Sequence, residues 1–365
     1  MKKILLIWNG IFSKQISGGD VYTINLINLG KSKKDLIIPK GVEKTILKEK
    51  INKIYFTKEP KNKGFFFLLL LYLLRTFKTI IICMKIPIVY DNVIASSPFL
   101  FDVLPLCFVK SKNKTVIIFH TIPERKSIDI KTKIRFFIAK IENKISYWLI
   151  NKNINIVLAG NSLVKQELSK KLKNKKIIVI SAGIDTEKID SVENIKKDKN
   201  LACFIGRLVT QKGILDLVDI VKEILQFNNK FRLIAIGDGP DRNLIEEKIK
   251  EYELKDKIII RGFLSEEEKI KILKKSNFFL FPSYEEGWGI ALAEALYCKC
   301  LCFTYKLPHY EKVFKNYPIY ISLGNKKEFI DVLKKEYFKR VSQRQKKFMK
   351  RYSYLRVIRE IEKEL

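Results

Sequence analysis

The sequence predicts an α/β protein built from two doubly wound parallel sheets. Short apolar runs alternate with helical patterns in both halves of the chain, and several of these runs end directly in glycine-containing loops. Alternation of this kind is typical of βαβ units. The length of 365 residues suits two domains of ordinary size.

Nine apolar runs are the predicted strands, four in the first half and five in the second. The first run follows two lysines and so imitates a signal peptide, but it is too short and no small-residue cleavage site follows it. The predicted strands are Lys3–Trp8, Ile88–Ser96, Thr115–His120, Ile154–Ala159, Asn200–Ile205, Phe231–Ile236, Lys257–Arg261, Asn277–Phe281 and Lys299–Thr304.

An amphipathic helix is predicted after the third strand, because apolar residues recur there at spacings of four and three. Its other faces carry Lys131, Lys140 and Lys144. The apolar stripe consists of Ile130, Ile134, Phe137, Ile141, Ile145 and Trp148.

The run Phe65–Leu74 is apolar at every position, and Arg75 and Lys78 then interrupt it. It is about half as long as the roughly 20 residues that a membrane span needs. A packed core helix is one interpretation. Because no face of the run is polar, insertion into a membrane interface is the other.

The polar stretch Asp185–Lys199 lacks apolar periodicity and is the predicted interdomain connection. We therefore predict a first domain at residues 1–184 and a second at 185–345. A C-terminal helix within residues 346–365 is expected to pack back on the first domain.

The formal charge is +32, from 71 Lys and Arg against 39 Asp and Glu. Lysines far outnumber the 12 arginines, which fits a coding bias, but residues 1–180 carry +23 and the remainder only +9. A bias does not easily produce that asymmetry. The 47% hydrophobic content excludes a disordered polycation. In the absence of a recognised nucleic-acid motif, we expect an anionic membrane surface as the partner and no nucleic acid.

Cys298, Cys300 and Cys302 alternate along the chain, which invites a zinc interpretation. The sequence contains only two histidines, and zinc takes four ligands in a tetrahedral array. We expect these cysteines to enter a buried strand, with all six thiols reduced and intracellular.

Two short motifs follow predicted strands and suit an anion. Gly18 and Gly19 precede a helix, where backbone N–H groups and the helix dipole favour negative charge, although paired glycines are common in turns. Arg207 and Lys212 follow a buried strand, where two cations suit a diphosphate. A solvated basic loop is the alternative for the second motif.

Two carboxylates flank the glycine loop that follows the strand ending at Pro282. Glu286 lies in the loop and Glu294 lies eight residues later, about one turn into a helix that begins near Ile290. Loop amides and the helix N-terminus favour an anion, and carboxylates accept strong hydrogen bonds from hydroxyl groups. The combination favours a ligand that carries both phosphate and sugar hydroxyls.

The runs FIGRL…KG, IGDGP and RGFLSEEEKIKILKKSNFFLFPSYEEGWGIALAEAL resemble the C-terminal domain of a retaining glycosyltransferase of family 4. The resemblance extends over nearly the whole chain and is most specific over residues 201–300. It implies a GT-B architecture, in which two Rossmann-like domains face a central cleft. The second domain would hold the nucleotide-sugar donor and the first would meet the acceptor.

The resemblance also implies roles for single residues. Arg207 and Lys212 match the diphosphate clamp, Glu294 matches the residue that bonds the ribose, and Glu286 matches the one that contacts the donor sugar. The remaining matches are Gly18 and Gly19 in the loop that closes over the diphosphate, His120 near the reacting carbon, Arg261, Gly262 and Phe263 beside the base, and Gly287, Trp288, Gly289 and Ile290 in the loop and helix start that face sugar and phosphate.

The chain departs from the family pattern at three positions. Thr121 stands where the family often has aspartate. Lys299 and Leu301 replace a usual glycine and proline.

The predicted function is transfer of a sugar, with retention, from a nucleotide-sugar donor to a hydroxyl of a glycan or lipid-linked acceptor. We expect a cytoplasmic protein, peripheral at the membrane, with no cofactor and, since no Asp-x-Asp motif is present, no metal. A soluble acceptor, a non-catalytic sugar-nucleotide-binding protein, and a related epimerase or glycogen-type synthase are the alternatives.

Overall fold

A computed structural model describes residues 2–10, 18–58, 65–119, 130–337 and 343–365 of the chain. The protein divides into two compact units. The first comprises residues 1–182 together with 354–365, and the second comprises residues 183–353. Each unit contains one all-parallel sheet with helices on its faces, which confirms the predicted fold class.

The sheet of the first unit has seven strands in the order β3-β2-β1-β4-β5-β6-β7. Its strands are β1 Ile4–Ile7, β2 Lys34–Pro39, β3 Ile51–Thr57, β4 Tyr90–Ala95, β5 Ser111–Ile118, β6 Ile156–Ala159 and β7 Lys176–Val179. Its helices are α1 Gly18–Asn28, α2 Phe65–Lys85, α3 Leu100–Val103, α4 Ile130–Asn153, α5 Ser162–Lys171 and, from the chain's end, α14 Tyr354–Glu364.

Each face of this sheet is covered by its own set of helices. On one face, Tyr22 of α1 and Ile358 of α14 join the same apolar cluster. On the other face, Cys83 of α2 and Ile150 of α4 join a second cluster. Helices α2 and α4 therefore lie in one layer.

Helices α2 and α4 differ from a simple core helix. Leu71 and Arg75 of α2 are buried, but Leu73 and Phe77 are exposed, so the apolar run supplies both core and surface. The described part of the predicted α4 stripe, at residues 141, 145 and 148, is likewise exposed. No helix in the described part of the chain is long and apolar enough to cross a membrane.

The C-terminal helix is tied to the first unit by a buried lysine. The Lys34 ammonium lies 3.2 Å from a carboxylate oxygen of Glu362, and the backbone N–H of Lys31 donates to the other oxygen at 2.8 Å. Burial lowers the pKa of Lys34, and Glu362 opposes that shift. Glu362 thus compensates a charge that would otherwise be costly to bury at the start of β2.

The sheet of the second unit has six strands in the order β10-β9-β8-β11-β12-β13. These strands are β8 Asp198–Ile205, β9 Arg232–Ile236, β10 Ile258–Ile260, β11 Ser276–Phe281, β12 Leu301–Tyr305 and β13 Ile319–Ile321. The helices are α6 Thr186–Ser191, α7 Ile214–Leu225, α8 Arg242–Glu251, α9 Glu266–Lys275, α10 Ile290–Tyr297, α11 Tyr310–Phe314, α12 Lys326–Glu336 and α13 Gln343–Met349.

The three alternating cysteines lie at and before β12. Cys298, Cys300 and Cys302 are all buried, and all six cysteines are free thiols. Burial raises the pKa of the Cys300 thiol, so this group stays protonated and apolar in character.

Strand order fixes where each unit can form a crevice. In the second unit the chain leaves β8 toward β9 and β10, then returns to β11 on the other side of β8. The loops after β8 and β11 therefore diverge at neighbouring strand ends, which is where open parallel sheets bind ligands. The equivalent point in the first unit lies between β1 and β4.

The loops after β8 and β11 are held together by the close approach of Gly213 to Pro282. Gly213 has φ +68°, and a Cβ at this position would lie only 1.9 Å from the carbonyl oxygen of Pro282. Any side chain at residue 213 would push the two loops apart.

We expect Gly213→Ala to destabilise the second unit by about 3 kcal/mol or more, because left-handed strain and overpacking act together. The control is Gly324→Ala, at φ +75°, where the nearest atom to a Cβ lies at 3.5 Å. That change should cost only about 1 kcal/mol. Urea unfolding followed by tryptophan fluorescence measures both, and equal costs would contradict the close-approach argument.

Candidate functional site

The loop after β8 carries Arg207 and is held in place by hydrogen bonds to the segment that follows β9. The backbone N–H and hydroxyl of Thr210 both donate to Asp241 Oδ2, at 2.6 and 2.8 Å. The N–H of Leu208 donates to the carbonyl of Asp238 at 3.1 Å. Arg207 itself is exposed. The loop is therefore fixed in place while its guanidinium group remains accessible.

The loop after β11 is joined to the loop after β8 by hydrogen bonds. The backbone N–H of Tyr284 donates to the carbonyl of Gln211 at 2.9 Å, and the Ser283 hydroxyl donates to the same carbonyl at 3.3 Å. These bonds set the register between the two loops, so that Lys212 lies opposite Glu286.

Lys212 and Glu286 form the central ion pair of the site. The Lys212 ammonium lies 2.5 Å from Glu286 Oε1 and also donates to the carbonyl of Glu285 at 3.1 Å. The side chains of Lys212 and Glu286 are only 18% and 13% exposed. A partly desolvated lysine with a third N–H left over can turn toward an anion that enters the crevice.

Two helices begin at this point of the sheet without a side-chain cap. Gly213 precedes α7 and Gly289 precedes α10, and a glycine at the N-cap position supplies no side-chain hydrogen bond to the first N–H groups of the helix. The helices α5, α6, α9 and α12 by contrast are capped by Asn161, Asp185, Ser265 and Asn325. The helix starts beside Lys212 thus leave their N–H groups and positive dipole ends available for an anion.

Glu294 lies on α10 and is almost fully buried. Both of its carboxylate oxygens lie 3.0 Å from the ammonium of Lys269 on α9. Burial opposes the charge of Lys269, but Glu294 and Glu266 outweigh that effect and raise the lysine's pKa. Glu294 is therefore held in one position by a charged partner.

The glycine loop presents its backbone and not its aromatic side chain. The Trp288 indole is buried and packs edge-on against Phe314 and Tyr352, at 5.4 and 5.3 Å between ring centroids. A Cβ on Gly289 would lie 3.2 Å from the Tyr310 hydroxyl. Gly287 and Gly289 carry no side chain, so the loop presents backbone between Glu286 and the start of α10 at Ile290.

The segment after β10 exposes an aromatic ring. Phe263 is 63% exposed, and Arg261 beside it is also exposed. Gly262 accepts a backbone hydrogen bond from the N–H of Gly237 at 2.8 Å, which ties this strand end to the loop after β9. An exposed ring held this way offers a flat surface to an aromatic ligand.

The predicted site residues of the first unit are Gly18, Gly19 and His120. Gly18 and Gly19 form the first positions of α1, which is anchored because the Trp8 indole N–H donates to Asp20 at 3.0 Å. His120 lies outside the described residues. Among the described residues, no group of three His, Cys, Asp or Glu side chains could hold a metal ion.

Sequence reasoning did not find Lys269 or Asp241. Lys269 sits in the run EEEKIKILKK, where it is indistinguishable from a solvated surface lysine. Asp241 directly follows the motif IGDGP and was not part of any prediction. No local signal marks either residue, because each acts through a partner on a different element.

Residues 185–345 match the model of the family Glycosyl transferases group 1. A 2-deoxystreptamine N-acetyl-D-glucosaminyltransferase of Niallia circulans is 32% identical over 116 residues, which is 32% of this chain and 30% of that protein. An uncharacterized glycosyltransferase of Methanocaldococcus jannaschii is 29% identical over 229 residues, 57% of this chain and 56% of that protein. The chain thus matches between 30% and 56% of the length of these two relatives.

Solved structures match the chain over its full length. HepE from Anabaena, solved with UDP and glucose, superposes with a TM-score of 0.75 at 14% identity, covering 100% of this chain and 99% of HepE. Sucrose-phosphate synthase from Thermosynechococcus elongatus gives 0.77 at 14% identity, covering 100% and 98%. At these identities the likeness shows the fold, which is that of GT-B glycosyltransferases.

We expect Lys269→Met to destabilise the second unit by about 3 kcal/mol, because it leaves Glu294 buried without its counter-charge. The control is Lys271→Met on the same helix, whose pair with Glu267 is exposed and should contribute under about 1 kcal/mol. Urea unfolding distinguishes the two. Equal losses would show that Lys269 is only another surface lysine.

Proposed function

We propose that this chain is a retaining glycosyltransferase that moves a sugar from a nucleotide-sugar donor to a hydroxyl of a glycan or lipid-linked acceptor. The observation that carries the proposal is the joining of Lys212 and Glu286 beside two uncapped helix starts. One crevice therefore offers a cation, a carboxylate and free amides, which suit a diphosphate joined to a sugar. The match to the glycosyltransferase family over residues 185–345 and the UDP and glucose held by HepE support this choice.

We assign the donor to the second unit. Arg207, Lys212 and the N–H groups at the starts of α7 and α10 would bind the diphosphate. Glu294, fixed by Lys269, would accept hydrogen bonds from the ribose, and the exposed ring of Phe263 would lie beside the base.

The reaction exchanges one bond at the anomeric carbon for another. The bond from that carbon to the diphosphate oxygen breaks, and its electron pair stays on the phosphate. The acceptor hydroxyl oxygen forms the new bond on the same face, and its proton passes to the leaving phosphate. Arg207 and Lys212 would stabilise the growing negative charge electrostatically, which is the largest contribution such sites make.

Glu286 and His120 complete the proposed machinery. Glu286 would orient the donor sugar once Lys212 turns from its carboxylate to the phosphate. His120, assigned by the resemblance, would lie near the reacting carbon, and Gly18 and Gly19 would supply amides to the diphosphate. We propose no metal and no cofactor. The acceptor side we propose for the first unit, at the cytoplasmic face of an anionic membrane.

We expect Arg207→Ala and Lys212→Ala each to lower kcat/KM by about 10²- to 10³-fold, because each removes a charge that acts in the transition state. A nucleotide-sugar panel assayed for donor hydrolysis without acceptor identifies the base and the sugar. Arg232→Ala is the control, since Arg232 is exposed at the amino end of β9 and pairs with Asp198. Turnover like that of the unchanged protein in both site variants would refute the clamp, and silence with every donor would favour a non-catalytic binding protein.

We expect Glu286→Gln to separate binding from turnover. Removing the carboxylate charge frees Lys212, so the affinity for free UDP should stay the same or increase, while donor turnover should fall by about 10²-fold or more. Calorimetry with UDP and the hydrolysis assay measure the two effects. Glu285→Gln, an adjacent exposed carboxylate, is the control for local charge. A parallel loss of UDP affinity and turnover in Glu286→Gln would contradict the assigned role.

A further inference from the structure

We infer that the outward faces of α2 and α4 form one surface with which the first unit docks on an anionic lipid membrane. We call this surface the α2/α4 face, and it consists of the exposed residues named in the next two paragraphs. The inference deepens the membrane part of the proposed function. It does not rest on glycosyl transfer, because vesicle binding is measured without donor or acceptor.

Helix α2 carries an exposed apolar stripe. Its members recur at spacings of three and four along the helix, over about 21 Å at 1.5 Å per residue. The buried positions of the same helix, such as Leu71 and Cys83, lie on its opposite side. The stripe consists of Leu70, Leu73, Phe77, Ile81 and Met84, exposed by 54%, 57%, 65%, 37% and 66%.

Helix α4 carries a second stripe with lysines along its edge. Ile141, Ile145 and Trp148 are 46%, 44% and 59% exposed. Exposed lysines follow the same side of the helix, and the Lys152 ammonium lies 5.3 Å from the Trp148 ring centroid. A tryptophan flanked by lysines is characteristic of helices that lie in a membrane interface. The exposed lysines are Lys140, Lys144 and Lys152.

The two stripes belong to one layer of the first unit. Both helices pack into the same core cluster on one face of the sheet, and α3 packs against both of them. The Tyr72 hydroxyl of α2 donates directly to the Glu142 carboxylate of α4. Outward faces in a single helix layer point away from the sheet on the same side.

The charges on α2 and α4 indicate which kind of partner the α2/α4 face would bind. The sequence of α2 contains no acidic residue and three basic ones, of which Arg75 is buried, and that of α4 contains six basic residues and one acidic, Glu142. Glu142 is occupied, since it accepts hydrogen bonds from Tyr72 and, at 3.1 Å, from the N–H of Leu100. A second copy of the chain would bring two cationic faces together. An anionic bilayer instead offers negative headgroups above an apolar layer, which complements both the lysines and the stripes.

The test is co-flotation of the full chain with vesicles of phosphatidylcholine alone or with 30% phosphatidylglycerol. We expect binding to the anionic vesicles at low salt and weaker binding at 0.5 M salt. Phe77→Asp and Trp148→Asp should each reduce binding by about tenfold or more. The pair Lys140→Glu with Lys144→Glu should do the same, since each lysine near an anionic surface contributes roughly a fivefold factor.

Matched changes elsewhere on the first unit are the controls. Leu47→Asp replaces an apolar residue that is 47% exposed, and Lys44→Glu with Lys48→Glu makes the same change of net charge at exposed positions. These variants should bind vesicles within about twofold of the unchanged protein. Thermal melting confirms that every variant is folded.

Three results would overturn the inference. One is no binding to anionic vesicles at low salt. Another is an equal loss of binding in the control variants. The third is a dimer, seen by light scattering, that Phe77→Asp and Trp148→Asp dissociate, because this would assign the face to a second copy. Donor hydrolysis, measured on the same variants, should be unchanged, so a failure here is distinguishable from a failure of the proposed function.

Discussion

The approach of Gly213 to the carbonyl of Pro282 is the constraint on which the second unit's site depends. A parallel sheet whose strand order reverses between β8 and β11 sends two loops apart at adjacent strand ends. Left alone, such loops would separate. A residue without a Cβ allows them to touch, and the contact places the lysine of one loop against the carboxylate of the other.

The site is rigid before any ligand binds, and two helix starts within it still lack a side-chain cap. Thr210, Tyr284 and Lys269 hold their elements through hydrogen bonds and charge, so little ordering is left for a ligand to impose. The N–H groups at the starts of α7 and α10 meanwhile have no side-chain cap among the described residues. A preorganised site with free donors is what electrostatic stabilisation of a leaving phosphate requires.

The first unit uses its charge differently. Its buried Lys34 is matched by Glu362, whereas Lys140, Lys144 and Lys152 of α4 are exposed beside apolar residues. The excess of +23 over residues 1–180 therefore includes lysines placed on an apolar face, in addition to those scattered over the surface. That placement, rather than the net charge alone, is the basis of the proposed docking of the α2/α4 face on a membrane.

By itself the sequence determined the fold class, nine of the thirteen strands that the described residues form, and the motifs around Arg207, Lys212, Glu286 and Glu294. Buried parallel strands are continuous apolar runs, and glycine loops follow them at fixed spacing, so both signals are local. Strands β2, β3, β7 and β13 were missed, because they are short, carry lysine or proline, or lie toward the sheet edge.

Only the tertiary structure decided that Lys212 pairs with Glu286 and Lys269 with Glu294, and that the stripes of α2 and α4 face outward. The spacing of apolar residues along the sequence predicts which of them share a face of a helix. Which neighbour covers that face, and which loops meet, depends on strand order and packing between distant segments.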